Sequence, residues 1–386
     1  MSCFLPRTVV DLSPNPARPK IMQAKKTRLI AAAALITLLF AAWWLLTQER
    51  PARTDSRAQP NPPSEPTRPT QPEPPPPVAS ISPPSSVRLP TAHKTPGVLA
   101  SASWGSGANQ IGRDVPEEAN PEGPMSLALG PDGTLVVLDQ VNGRLARYDK
   151  NGKRLFDTRI DATYPQDVAT STDGTTAVLD RLKDKNITLL DQNGNVVGTL
   201  PLEGDAVGET GGITGVFMDG DDVYVEREHG PLVKVGNKDG SAAEEQEELP
   251  GRPSRDGTLL LTAGIVEAST GRIFVSAIQR STRDHLFTRE IRLDDAALYL
   301  VLLDSDKQGT IYVAAVIGTP DPPPGDVRVQ LVCLEPSQGV PTGGAYMPAN
   351  TLPDETFRDL VVLDEGGVVY AERTEAGITY RVYHCS

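Results

Sequence analysis

Two stretches of this chain are copies of one pattern. Residues 127–152 read LALGPDGTLVVLDQVNGRLARYDKNG, and residues 168–194 read VATSTDGTTAVLDRLKDKNITLLDQNG. Each begins with an apolar run and an Asp-Gly pair (Asp132-Gly133, Asp173-Gly174), followed by a second run ending in Leu-Asp (Leu138-Asp139, Leu179-Asp180). A polar stretch then leads to a third run ending at Asp149 or Asp191, just before Asn-Gly (Asn151-Gly152, Asn193-Gly194). Asp-Gly and Asn-Gly supply the positive φ angles that tight hairpins demand, so the runs read as antiparallel strands. With FDTRI (156–160) and VVGTLPL (196–202) as last strands, each copy is a four-stranded sheet. A unit this small cannot bury its apolar faces alone, and a period in this range points to stacked units, as in solenoids and propellers.

The rhythm continues after the wording decays. Second-strand candidates recur as DDVYVER (221–227), GRIFVSA (271–277), GTIYVAA (309–315) and GGVVYAE (366–372). Counted from Gly133, the anchors fall at 133, 174, 221, 271, 309 and 366, in steps of 41, 47, 50, 38 and 57. Six such sheets close into an all-β, six-bladed propeller spanning residues 98–386, which leaves only short, protected edges. Residues 238–256 are too charged for a good strand, so the fourth unit is expected to be one strand short. The last unit offers three strands, RDLVVLD (358–364), VVYAERT (368–374) and TYRVYHC (379–385). VLASASW (98–104) is expected to supply its fourth and close the ring, which would account for the chain stopping at Ser386.

The first two units resemble the NHL-repeat family of six-bladed propellers over residues 124–200. Pro131, Asp132, Gly133, Val136, Val137, Asp139, Asn142, Arg144, Leu145, Tyr148, Asp149 and Gly152 occupy that family's motif positions. In the second unit Lys185-Asn186-Ile187 replaces the Asn-x-Arg-Leu run, and later units keep only the strand rhythm. The resemblance implies the fold and carries no catalytic residue with it.

The N-terminal quarter is of another kind. Leu29 to Leu46 reads LIAAAALITLLFAAWWLL, with no charge and Thr37 as its one polar interruption. At about 1.5 Å per residue it spans roughly 27 Å, the thickness of a bilayer's hydrocarbon core. Lys25, Lys26 and Arg28 precede it, which places residues 1–28 in the cytoplasm and the large domain outside, while Trp43 and Trp44 suit the far interface. A cleaved signal peptide is the competing reading, opposed by the length of the run and by bulky Trp-Trp-Leu-Leu where small residues should precede a cut. Met22 is a second candidate start and leaves the topology unchanged. Residues 47–97 form a proline-rich, disordered linker, with 15 prolines among residues 51–97 and almost no large apolar side chain. A stiff polyproline stalk of that length reaches on the order of 145 Å.

Charge narrows the partners. Residues 1–97 carry 12 Lys+Arg against 5 Asp+Glu, and residues 98–386 carry 25 against 45. A domain at −20 repels phosphate backbones, which excludes nucleic acid as a partner. Cys3 falls on the cytoplasmic side; Cys333 and Cys385 fall outside, either bridged or as two reduced thiols. Asp139 and Asp180 recur at equivalent positions, and that recurrence reads as loop capping or a pair with Arg144. His93, His229, His285 and His384 make no His-x-His or His-Glu-x-x-His motif, and no Gly-x-Ser-x-Gly or calcium loop is present, so neither a metal nor a catalytic set is assigned.

The expected role is therefore a single-pass, membrane-anchored scaffold in the periplasm of a Gram-negative bacterium, binding an unidentified protein and holding no cofactor. The binding face is assigned to Tyr164, Gln166, Asp167, Glu226, Arg227, Glu228, His229, Arg252, His285 and the insertion 319–325. The alternative is a hydrolase or lyase with a divalent metal in the channel, its ligands dispersed over several blades.

Overall fold

The computed structural model describes residues 85–86, 95–319 and 327–385. The expected cytoplasmic tail, the membrane span 29–46 and almost all of the linker 47–97 lie outside them. Among the described residues no helix is long and apolar enough to cross a membrane. Within the stretch expected to be disordered, Ser85–Ser86 pairs in parallel with Ile291–Arg292.

The domain is six antiparallel sheets, one per blade. Blade 1 runs outward from the axis as Ser126–Leu129, Leu135–Asp139, Arg144–Tyr148 and Arg154–Arg159. Blade 2 follows as Asp167–Thr170, Thr176–Asp180, Asn186–Leu190 and Val196–Pro201. Blade 3 is Ile213–Asp219, Asp222–Arg227, Leu232–Asn237 and Glu248–Leu249, and blade 4 is Arg252–Pro253, Leu259–Glu267, Arg272–Gln279 and His285–Arg292. Blade 5 is Ala297–Ser305, Ile311–Ile317, Arg328–Leu334 and Pro341–Pro348. Blade 6 has Leu360–Val362, Val368–Thr374 and Gly377–Tyr383, and its fourth strand is Gly97–Trp104, with Gly97 opposite Val382 and Ala102 opposite Ile378. The ring closes by pairing the first strand of the domain with its last, as the sequence implied.

The fourth unit departs from expectation. Its second strand is Leu259–Glu267, and the run from 271 that the spacing had offered is its third. The missed signal is Asp256-Gly257, a further Asp-Gly hairpin inside a stretch discounted for its charge. All six turns between first and second strands carry a glycine at positive φ: Gly133, Gly174, Gly220, Gly257, Gly309 and Gly366. The charged stretch costs strand length instead of a whole strand. Glu248–Leu249 and Arg252–Pro253 have two residues each.

The core is a set of seams between neighbouring blades. Strand Leu135–Asp139 illustrates why its apolar run is continuous: Leu135 and Val137 pack towards blade 6, while Val136 and Leu138 pack towards blade 2. The seams differ in thickness. Sixteen buried apolar residues fill the one between blades 4 and 5, but Tyr224, Leu232, Leu249 and Leu260 alone form the buried cluster between blades 3 and 4, beside the two shortest strands. Ion pairs reinforce that thin seam, Arg252 with Glu226 and Arg280 with Asp219.

The hairpins between third and fourth strands also join blades. A Cβ on Gly152 (φ +78) would lie 1.6 Å from the Leu99 carbonyl oxygen of the closing strand, so this turn needs glycine for its φ and again for the contact. Gly194 meets Thr158, Gly240 meets Gly198 and Gly339 meets Phe287 in the same way, each on the outermost strand of the preceding blade.

Candidate functional site

Because strands alternate in direction, each blade sends two kinds of connection to each end of the ring. Turns between first and second strands, and between third and fourth, lie on one face, here the hairpin face. Links between second and third strands, and the links from blade to blade, lie on the opposite, loop face.

The predicted binding residues divide accordingly. Tyr164 sits in the link from blade 1 to blade 2, half-buried, its backbone N–H donating to Asp180 (2.6 Å) and its hydroxyl to Glu122 (3.3 Å). Arg227 ends the second strand of blade 3 and reaches the Ala206 carbonyl (2.5 Å) and Glu248 (3.4 Å). Glu228 and His229 follow it in the loop, exposed and both at positive φ. These four, with the link containing Gln166, belong to the loop face. His285 does not. It opens the outermost strand of blade 4 on the hairpin face, exposed and bonded to Thr288 (2.9 Å), because the strand missed at 259–267 shifts every later connection of that blade by one. Of the insertion 319–325, Thr319 is described and the remainder lies outside the described residues.

Asp167 and Arg252 are not loop residues at all. They belong to the innermost strands and meet others across the axis. Asp167, fully buried, accepts from the Ser126 hydroxyl, from the Val216 N–H (2.8 Å) and from the Arg358 guanidinium (2.8 Å). Arg358 lies 5.1 Å from the Phe217 ring centroid and Arg252 lies 5.0 Å from it. Arg252 grips Glu226 with two bonds (2.7 and 3.0 Å) and donates to the Leu303 carbonyl (3.0 Å). One chain of contacts thus touches every blade: Ser126 of blade 1, Asp167 of 2, Val216 and Phe217 of 3, Arg252 of 4, Leu303 of 5, and Arg358 leading into 6. Gly215 admits this crowding, since a Cβ there would stand 2.9 Å from the Phe217 ring.

Burial pushes the Glu226 carboxyl up, but Arg252 and the bonds from His229, Arg252 and Thr214 outweigh it and hold the group at about 2. It is therefore a charged, satisfied partner of Arg252. Asp139 and Asp180 have the structural tasks the repeat implied. Asp139 takes bonds from Arg144 (2.8 Å), Asn142 (2.9 Å) and the Gly112 N–H (2.8 Å), and Asp180 takes the backbone N–H groups of Tyr164, Leu182 (3.2 Å) and Lys183 (2.8 Å).

Asp167 and Glu226 are each committed to an arginine, and among the described residues no three His, Cys, Asp or Glu side chains converge. On the hairpin face, Cys333 and Cys385 are disulfide-bonded with Cα atoms 6.2 Å apart, joining blade 5 to the end of blade 6 beside a cavity of about 350 Å³.

Sequence reasoning missed Phe217 and Arg358. Phe217 is concealed inside an ordinary apolar strand. Arg358 precedes the first strand of blade 6 as Gln166 precedes that of blade 2, and this positional equivalence was the available signal.

Fold and axis together define the class: a six-bladed β-propeller whose innermost strands are joined across the axis by paired side chains. No family model and no curated protein matches the chain. Solved structures that resemble it include hydrazine synthase of Kuenenia stuttgartiensis, 13% identical over 70% of this chain and 90% of that one, with a TM-score of 0.44. Virginiamycin B lyase from Staphylococcus aureus is 11% identical, over 67% and 94% (TM-score 0.40), and U3-55K is 10% identical, over 68% and 80% (TM-score 0.41). Similarity of this degree says nothing of activity.

Proposed function

We propose that this is a single-pass inner-membrane protein whose NHL-like propeller stands in the periplasm of a Gram-negative bacterium and scaffolds a protein partner. The observation that carries this reading is the set of side chains paired across the axis. Asp167, Glu226, Phe217, Arg252 and Arg358 satisfy one another, which leaves the loop face, not a channel, as the surface for recognition. The uncharged run 29–46 with basic residues before it supports the anchor and its orientation. A disulfide suits an oxidising compartment outside the cytoplasm.

The test is a photo-crosslinking residue at Tyr164 or Arg227, irradiated in intact cells and read by mass spectrometry. One recurrent protein partner is expected. Recovery of no specific protein, or a stoichiometric divalent ion retained by the purified full-length protein, would overturn the reading.

A further inference from the structure

The outer edge of a blade is a place where extended chain can add as a further strand, and this chain itself uses two of them. Ser85–Ser86 pairs in parallel with Ile291–Arg292 on blade 4, and Gln110–Ile111 pairs in parallel with residues 103–104 on the closing strand of blade 6. The outer edge of blade 1, strand Arg154–Arg159, meets no further strand among the described residues. Its side chains are unlike those of the rest of the surface. Leu155 (45%) and Phe156 (47%) are exposed on it. In a domain whose net charge is −20, residues 144–159 carry 6 Lys+Arg against 2 Asp+Glu. The one carboxylate of the strand, Asp157, is taken by Arg144 (2.9 Å) and Arg154 (2.7 Å), so Lys150, Lys153 and Arg159 stay exposed with no ion pair among the described residues. Arg147, 5% exposed, lies with its guanidinium 5.4 Å from the Phe156 ring centroid and donates to a hydroxyl, Thr176 Oγ1 (3.4 Å), in place of a carboxylate. The fold leaves the positive charge of this edge without compensation.

We propose that the outer edge of blade 1 takes, as a fifth strand, an extended segment of the protein partner in which acidic and apolar residues alternate. This rests on the protein-binding reading and adds a second contact surface to the loop face. An unpaired strand edge offers its backbone N–H and C=O groups to any extended chain, and the side chains along it select which one. Successive side chains point to opposite faces, so Phe156 stands on one face while Leu155 and Arg159 share the other. A partner strand with the same period of two lays its apolar residues beside Phe156 and its carboxylates beside Arg159 and Lys153. The same charges disfavour other occupants. Pairing with a second copy of this edge would bring Lys150, Lys153 and Arg159 against their like, and residues 1–97, with 12 Lys+Arg against 5 Asp+Glu, are themselves basic. An anionic lipid surface would be repelled by the remainder of the domain.

The probe is a fluorescein-labelled hexapeptide of alternating Glu and Val, titrated by anisotropy against the full-length protein in nanodiscs of zwitterionic lipid. Saturable binding is expected, about tenfold or more tighter than that of an alternating Lys-Val hexapeptide. At saturation, hydrogen exchange of the amides in strand Arg154–Arg159 should slow. Lys153→Glu combined with Arg159→Glu should weaken the peptide about tenfold or more, whereas Lys153→Arg combined with Arg159→Lys, which keeps both charges, should change it by less than about threefold. Binding that never saturates, equal affinity for the two peptides, protection confined to other strands, or an affinity unchanged by the charge reversal overturns the proposal. Wild-type protein retained on phosphatidylglycerol vesicles, with the charge-reversed variant released and no saturable peptide binding, would make the edge a lipid contact and also overturns it. In intact cells a photo-crosslinking residue at Leu155 should capture the same protein as one at Tyr164. Capture at Tyr164 with none at Leu155 sinks the edge alone, whereas capture at neither position sinks the protein-binding reading.

Discussion

Replacing Arg252 with methionine should destabilise the propeller strongly and move one part of its pH dependence to less acid pH. Arg252 holds the thinnest seam of the ring, where four buried apolar residues do the work that sixteen do between blades 4 and 5. Glu226 beside it is 2% exposed and keeps only the Thr214 hydroxyl (2.8 Å) and the nearby His229 once the guanidinium is gone. Breaking a buried pair from one side costs about 3–5 kcal/mol, because the remaining charge is stranded. For a domain of this size that is a drop in melting temperature on the order of 10 °C. In the wild type the folded Glu226 pKa, about 2, lies below its ordinary 4.5, so its stabilisation is complete above pH 4.5 and disappears as pH falls through 2. The shift corresponds to about 3 kcal/mol. In Arg252→Met burial is opposed only by the bonds from Thr214 and His229, so the folded pKa rises from about 2 and the carboxyl is protonated at a less acid pH. Melting curves followed by circular dichroism between about pH 3.5 and 7.5 should therefore show the gap between the two proteins narrowing towards acid. A gap that is constant with pH, or smaller than about 1 kcal/mol, would refute this account of the seam.

Asp167→Ala strands Arg358 and the Val216 N–H at the axis and should cost about 3–5 kcal/mol in denaturant titrations, with strong coupling to Arg358→Ala in a double-mutant cycle. Gly152→Ala places a methyl group against the Leu99 carbonyl at a positive φ and should destabilise by more than about 2 kcal/mol, whereas Gly208→Ala, with open space around it, should pay only the φ penalty of about 1 kcal/mol. Reducing the Cys333–Cys385 bond, which spans 52 residues of sequence, should lower stability by up to about 4 kcal/mol and slow the protein on non-reducing gels.

Much of the architecture was legible because it is written locally and then repeated. Asp-Gly and Asn-Gly at fixed offsets specify hairpins wherever they occur, and Gly133, Gly174, Gly220, Gly257, Gly309 and Gly366 all adopt the φ that such turns need. Closure by Gly97–Trp104 was legible as a count, since the last unit lacked one strand and one suitable run stood unassigned. The error in blade 4 arose where the local signal was diluted: charge at 238–256 masked Asp256-Gly257, and the slip carried His285 to the wrong face.

The site was a different matter. Tyr164, Arg227, Glu228 and His229 could be placed on one face by counting strands, since face alternates with direction. That Asp167 belongs to Arg358, 191 residues away, and that one phenyl ring lies against two guanidinium groups, cannot be counted from any period. Turn chemistry acts over four or five residues, so the chain alone determined six sheets and their closure. Pairing across the axis depends on which innermost strands face one another once the ring has closed, and only the assembled structure decided that Asp167 and Glu226 each meet an arginine there.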